Sequence, residues 1–312
     1  MSFRILVTGS SGFIGSATTS ALAAAGHHVR AASRTPGPAN IAGVEWMKLP
    51  DLAGEVDWEP FVEGMDIVIH LAGIAHRSDS YRGDYDTINR AVTVSLVKAC
   101  RHQNIKRLIF LSSIGAQVGS AADHVATELD EPIPVNEYGR AKLAAEIEIQ
   151  HSGVPYTILR PVIVYGPGVR ANFALLARLA ALPLPLPFAA FTNQRSLLSI
   201  DNLIQAIMLC LSSPETLNQT FIVSDPQPIT LAEVLAALRE AEGRSPRLVA
   251  VPPAAIKAII MLTGRSSLWD RIGRSLVASS AKLQRAGWTP GVDTRSGLIA
   301  MARANARNQG RR

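Results

Sequence analysis

Apolar positions in the first half of the chain fall into short continuous runs, separated by stretches in which they recur at helical spacing. The runs at 3–8, 28–33, 66–71, 107–112 and 156–160 predict strands, and the stretches near 12–25, 87–102 and 137–151 predict the helices between them. Strands without polar alternation are covered on both faces, as in a parallel sheet whose crossovers are helices. The expected fold class is therefore α/β: a doubly wound parallel sheet with right-handed crossovers and a ligand at its carboxyl edge. After Pro161 the texture changes. Leu182-Pro183-Leu184-Pro185-Leu186-Pro187 fits neither a helix nor a central strand, because three of its residues lack an N–H and hold extended geometry. Residues 230–242 read as an amphipathic helix, with Thr230 as cap and Glu233 completing a capping box.

The first strand runs directly into Gly9-Ser10-Ser11-Gly12-Phe13-Ile14-Gly15. Glycines at these intervals allow a tight turn, close approach to a pyrophosphate and packing of helix on strand. The helix start then presents free N–H groups and a positive dipole end. A second constellation lies at Tyr138-Gly139-Arg140-Ala141-Lys142, beyond a strand that ends in Ser112-Ser113. Tyr138 and Lys142 are four residues apart and share one helical face. A phenol with a pKa of about 10 is a poor base at neutral pH, and lowering it by about three units takes about 4 kcal/mol of differential stabilisation. A nearby ammonium and an oxidised nicotinamide would supply it, while a serine hydroxyl holds the substrate oxygen.

These segments, with Asp66-Ile67-Val68-Ile69-His70-Leu71-Ala72-Gly73, Leu159-Arg160-Pro161-Val162-Ile163-Val164-Tyr165-Gly166-Pro167-Gly168 and Arg195-Ser196-Leu197-Leu198-Ser199-Ile200-Asp201-Asn202-Leu203, resemble the extended short-chain dehydrogenase/reductase family, within it the nucleotide-sugar epimerase and reductase branch. The resemblance implies a Rossmann dinucleotide-binding domain over 1–165, with 195–224 returning to it. A smaller substrate-binding cap is then built from 166–194 and 225–312. The resemblance also implies a cofactor surface formed by Gly9, Ser11, Gly12, Phe13, Ile14, Gly15, Ser33, Arg34, Asp51, Leu52, Leu71, Ala72, Gly73, Asn89, Ser112, Tyr138, Lys142 and Pro161.

In NAD-binding members of that family an acidic residue at the end of the second strand bonds the ribose; here the segment ends Ala32-Ser33-Arg34. Ser33 and Arg34 suit a 2′-phosphate, so NADP(H) is favoured and NAD(H) stays possible. Ser113, Tyr138 and Lys142 are the expected catalytic residues. Counted forward from the strand, Ser113 takes the family's hydroxyl position; counted back from Gly119, where Gln117-Val118-Gly119 departs from the family pattern, Ile114 would. Ser113 is chosen because isoleucine cannot orient a hydroxyl, with Ser112 as its cofactor-side neighbour, and which of the two serines serves stays open. Ile114-Gly115 follows it, where the family's dehydratases place an Asp-Glu pair, which disfavours elimination of water. What is left is redox at C4 of a UDP-hexose or UDP-N-acetylhexosamine, as a 4-epimerase or a 4-ketoreductase. By resemblance, Asn172 and Arg195, with Arg271 or Arg274, bind the diphosphate, and Ser113 and Tyr138 meet the sugar. Two other classes stay open: a non-catalytic NADP sensor or scaffold, and a reductase of a hydrophobic ketone.

Composition narrows the setting. With 312 residues and 47 % apolar content, the chain can bury one large composite core or two unequal domains. The net charge of +6 suggests nucleic acid, yet Arg303, Arg307, Arg311 and Arg312 form a frayed tail, and no basic stripe carries interleaved aromatics. A field that attracts a diphosphate accounts for the sign, so neither a nucleic-acid nor a membrane partner is expected. Cys100 and Cys210 are the two cysteines, no secretory signal is expected because a strand pattern begins at once, and the longest apolar run, 254–262, is interrupted by Lys257. A cytoplasmic homodimer, paired through the helices at 87–102 and 137–151, is the expectation from the family. His70 is expected to be a hydrogen-bonded core residue, and no cluster has metal-ligand spacing.

Overall fold

A computed structural model describes residues 2–35, 37, 41–74, 85–169, 172–264, 268–269 and 272–309. Seven parallel strands, β1 (Arg4–Thr8), β2 (His28–Ser33), β3 (Val44–Lys48), β4 (Ile67–His70), β5 (Arg107–Leu111), β6 (Tyr156–Pro161) and β7 (Gln219–Val223), pair in the order β7-β6-β5-β4-β1-β2-β3. The principal helices are α1 (Phe13–Ala24), α2 (Val92–His102), α3 (Glu137–His151), α4 (Asn172–Ala180), α5 (Ile200–Cys210), α6 (Leu231–Ala241), α7 (Pro253–Leu262) and α8 (Thr294–Gln309). A π-turn, Asp86–Ala91, leads into α2.

The unbroken apolar runs have a simple cause. Ile5 and Val7 of β1, Ile67 and Ile69 of β4, and Ile109 of β5 point into one buried cluster; Leu6, Val68, Leu108 and Phe110 point into another on the opposite face. Successive strand side chains alternate between faces, so two covered faces demand apolar residues throughout. β3 has no fully buried residue because it is the edge strand, and its mixed sequence Val44-Glu45-Trp46-Met47-Lys48 hides it from a search for apolar runs. The order reverses between β1 and β4, which opens a crevice at their carboxyl ends.

A third cluster packs Tyr165, Phe173, Leu186, Leu197, Val234, Leu235, Leu238, Leu298 and Met301 together. Leu276, Ala278, Leu283 and Trp288, expected in the cap, sit instead in the first sheet cluster. The proline segment is a loop, and Arg239 holds it: Nε donates to Ala180 O, Nη1 to Pro246 O and Arg247 O, and Nη2 to Leu182 O and Leu184 O. The capping box of Thr230 and Glu233 is present.

Candidate active site

The crevice at the β1/β4 switch is a cleft of about 380 Å³ lined by Gly9, Ser11, Gly12, Ser33, Arg34, Leu49, Asp51, Leu52, Leu71, Ala72, Gly73, Ile74 and Ile88. Its narrowness at the glycine loop is built in. Gly9 has φ +70°, and a Cβ there would lie 2.8 Å from Ala72 N; a Cβ on Gly15 would lie 2.1 Å from Gly9 O. Only glycine permits both approaches. Gly12 is the N-cap of α1 and no side chain bonds the helix's first N–H groups, so the helix start is left to a ligand anion. Phe13 and Ile14 open that helix and are half-buried.

At the end of β2, Ser33 is buried and donates its hydroxyl to Thr35 O at 2.5 Å, while Arg34 is exposed. Asp51 Oδ1 accepts from Ala53 N at 3.1 Å. Asn89 is buried and clamps the loop beyond β4, with Oδ1 accepting from Ile74 N and Nδ2 donating to Ile74 O, both at 3.0 Å. His70 lies beneath that loop as a buried histidine between Thr8 Oγ1 (2.7 Å) and Thr93 Oγ1 (3.1 Å).

The tyrosine and lysine come together through a second close approach. Asn136 caps α3 by accepting from Gly139 N at 2.8 Å, and a Cβ on Gly139 would lie 2.3 Å from Gly115 O. The helix therefore lies directly on the turn that follows Ser113, and the Ser113 hydroxyl and the Tyr138 ring both border Gly115, 3.3 and 3.9 Å from where a Cβ on it would stand. Ser112, its neighbour, is buried and donates to Glu146 instead. The two serines thus face different partners. Burial raises the phenol above its ordinary value, the neighbouring Ser113 hydroxyl works against that, and Tyr85 raises it further. Lys142 is buried, donates to Leu111 O at 2.9 Å and stands 4.6 Å over the Phe110 ring. Burial lowers its pKa to about 8, against the pull of Glu146. The balance leaves the phenol above its ordinary value without a ligand, so the rest of the expected lowering has to arrive with a bound cation.

Substrate-side residues fare unevenly. Arg195 donates to Arg274 O (2.9 Å) and Ser120 O (3.0 Å), so it ties the cap segment to the loop beyond Ser113. Arg274 is exposed and contributes its carbonyl there. Arg271 and the Asn172 side chain lie outside the described residues. Pro161 is buried at the end of β6. Sequence reasoning passed over Tyr85, whose ring meets Tyr138 edge-on at 5.9 Å, and the buried Glu146–Arg160 pair. Spacing alone could have flagged Glu146, which repeats the four-residue interval from Tyr138 to Lys142. Among the described residues no group of His, Cys, Asp or Glu is placed to hold a metal ion, and no helix is long and apolar enough to cross a membrane.

Comparison with known proteins agrees with this architecture. The model of the NAD dependent epimerase/dehydratase family matches residues 5–223. A UDP-glucose 4-epimerase of Vibrio cholerae is 34 % identical over 315 residues, which cover 96 % of this chain and 94 % of that protein. MoeE5, solved in complex with UDP-glucuronic acid and NAD, is 26 % identical with a TM-score of 0.78, over 98 % of this chain and 99 % of its own. A UDP-glucuronic acid 4-epimerase from Bacillus cereus shares the fold, with a TM-score of 0.77 at 22 % identity over 98 % of this chain and 99 % of that one.

Proposed function

The chain belongs to the NAD-dependent epimerase/dehydratase family, and from that premise we propose that it exchanges hydride at C4 of a UDP-hexose or UDP-N-acetylhexosamine with Tyr138 as acid and base. The observation that carries this reading is the meeting of Ser113 and Tyr138 over Gly115, with Lys142 Nζ beside Gly73 in the wall of the cleft lined by the glycine loop. The residues present fit a nicotinamide dinucleotide: Gly9 and Gly15 form a cradle that a Cβ would fill, and the uncapped start of α1 meets its pyrophosphate. When bound, that group supplies a reversible hydride acceptor at C4 and a positive charge close to the phenol. Tyr138 then takes the proton of the 4-hydroxyl, or returns one to a 4-ketone, while Ser113 holds the oxygen in line. Lys142, kept dry, stabilises the phenolate. Arg195, whose guanidinium holds the Arg274 and Ser120 carbonyls, and Arg274 carry the planar forks that suit a diphosphate.

Two directions of that chemistry are distinguished by the cofactor. The named activity of the Vibrio relative and the NAD in MoeE5 favour 4-epimerisation with a retained NAD. A second reading, one-way reduction of a 4-ketosugar with NADPH, is favoured by Ser33 and Arg34 in place of a carboxylate at the end of β2. Purified protein is to be incubated with UDP-glucose, UDP-N-acetylglucosamine or a UDP-4-keto-6-deoxy sugar, with and without NADH or NADPH. Isomer formation without net cofactor change supports the epimerase, and stoichiometric oxidation of NADPH supports the reductase. Tyr138→Phe is expected to reduce turnover by about 100-fold or more and to leave dinucleotide affinity intact; turnover that survives it refutes the assignment. The same reading pairs two copies through α2 and α3, which light scattering checks.

A further inference from the structure

Tyr138, Lys142 and Glu146 recur at intervals of four along α3 and so share one face. Glu146 is 1 % exposed. A carboxylate at that depth persists only with charged and hydrogen-bonding partners. Arg160 Nε lies 3.0 and 3.1 Å from its two oxygens, Arg160 Nη2 pairs with it, and the Ser112 hydroxyl donates to it. Arg160 also donates to Gln117 Oε1, and Gln117 Nε2 donates to Asp130 O at 2.6 Å. Each partner adjoins a part of the site: Ser112 precedes Ser113, and Arg160 precedes Pro161 at the end of β6.

The surroundings of Lys142 make Glu146 its counter-charge. On α3 it shares its face with Tyr138 and Glu146; β4 brings His70, which burial and the lysine itself keep neutral. β5 brings only the Leu111 carbonyl and the Phe110 ring, and the loop after β4 brings Gly73 beside the uncharged Asn89.

We propose that Glu146 is a positioning residue: held in place by Arg160, it keeps the Lys142 ammonium charged one helical turn from Tyr138 and locks the Ser113 strand end against α3. Its consequence for turnover rests on the C4 reading above, whereas the electrostatic coupling does not. A titration of the free protein separates the two. The Lys142 amine is titrated by NMR in ligand-free protein carrying lysine labelled with ¹³C at Cε, with Lys142→Arg identifying the resonance. Glu146→Gln is expected to raise the acid dissociation constant of Lys142 about tenfold or more. That single variant leaves Arg160 buried without a partner, so a volume-matched Glu146→Leu/Arg160→Met protein, which removes both charges, provides a folded alternative. It is expected to show the same displaced midpoint at near-native thermal stability. A midpoint that stays put in either folded variant, or a wild-type amine already neutral at pH 7, overturns the proposal.

With UDP-glucose and added dinucleotide, the alkaline limb of the kcat/KM profile moves to lower pH together with the amine, and Glu146→Asp restores part of it. A purely structural ion pair would change the melting temperature and leave that limb in place. Wild-type protein that turns over none of the UDP-sugars, yet shows the Glu146-dependent titration, refutes the C4 reading and upholds the coupling.

Discussion

Acidification tests how the floor of the cleft is held. Ala72 N donates to Thr8 Oγ1 at 3.2 Å, and Thr93 Oγ1 donates to Asn89 O at 2.8 Å. The single proton of the Thr93 hydroxyl is thereby committed, so it accepts from His70 Nε2–H, and His70 Nδ1 accepts from the Thr8 hydroxyl. Protonating Nδ1 would turn that acceptor into a donor facing a donor. Burial, with Lys142 adding to it, accordingly depresses the His70 pKa to about 3. The folded value lies below the unfolded one of about 6.5, so as pH falls the unfolded chain takes up this proton first. The contribution is complete above pH ~6.5 and is lost as pH falls through the window from there towards 3. Between pH 7 and pH 5 one extra proton on the unfolded chain costs about 2 kcal/mol of stability. Denaturant unfolding at pH 7, 6 and 5 measures it, with His70→Gln as the comparison. The variant is less stable at pH 7 but loses about 2 kcal/mol less on going to pH 5. His27, also lowered by burial, titrates in both proteins and cancels. Parallel pH dependences, or an NMR midpoint for His70 near its unfolded value, would refute the hydrogen-bond assignment.

Gly15→Ala places a Cβ 2.1 Å from Gly9 O; the loop has to shift, and calorimetry should show dinucleotide affinity reduced by tenfold or more, about 1.4 kcal/mol. Ser33→Asp adds a carboxylate to the wall of the cleft beside the exposed Arg34; unit charges about 4 Å apart at an effective dielectric of 20 interact by about 4 kcal/mol, discounted to about 1–2 kcal/mol for the solvent that reaches Arg34, so the NADPH-to-NADH affinity ratio falls about five- to thirtyfold. Arg239→Met removes all five N–H donors from backbone carbonyls, of which that of Ala180 is the most enclosed. It is expected to cost about 3–5 kcal/mol in thermal unfolding, with Arg239→Lys costing less.

Much of the fold was legible because its physics is local. A strand covered on both faces must be apolar at every position, and Ile5, Leu6 and Val7, all fully buried, are read directly from that rule. Val44–Lys48 escaped because an edge strand obeys a different rule. The glycine loop was legible for the same reason as β1: the consequences of a missing Cβ at Gly9 and Gly15 do not depend on what lies elsewhere in the chain. The tyrosine–lysine spacing was legible as a shared helical face, but the phenol's environment was not. Its burial, the nearby Ser113 hydroxyl and the Tyr85 ring come from three segments that only the tertiary fold assembles.

The same distinction explains why the two serines stayed ambiguous in the sequence and differ in the structure. Adjacent residues at a strand end point to opposite sides, so Ser112 and Ser113 could not both reach the phenol. Which one did depended on where α3 lands. Gly139 decides that: a side chain there would collide with Gly115 O and move the helix off the turn. Asn136 and Gly139 thus bring Tyr138 to Ser113, and the carboxylate two turns beyond Tyr138 draws Ser112 to the other side. The identity of the hydroxyl at the site therefore follows from packing at one glycine and one buried acid, and neither residue would touch a substrate.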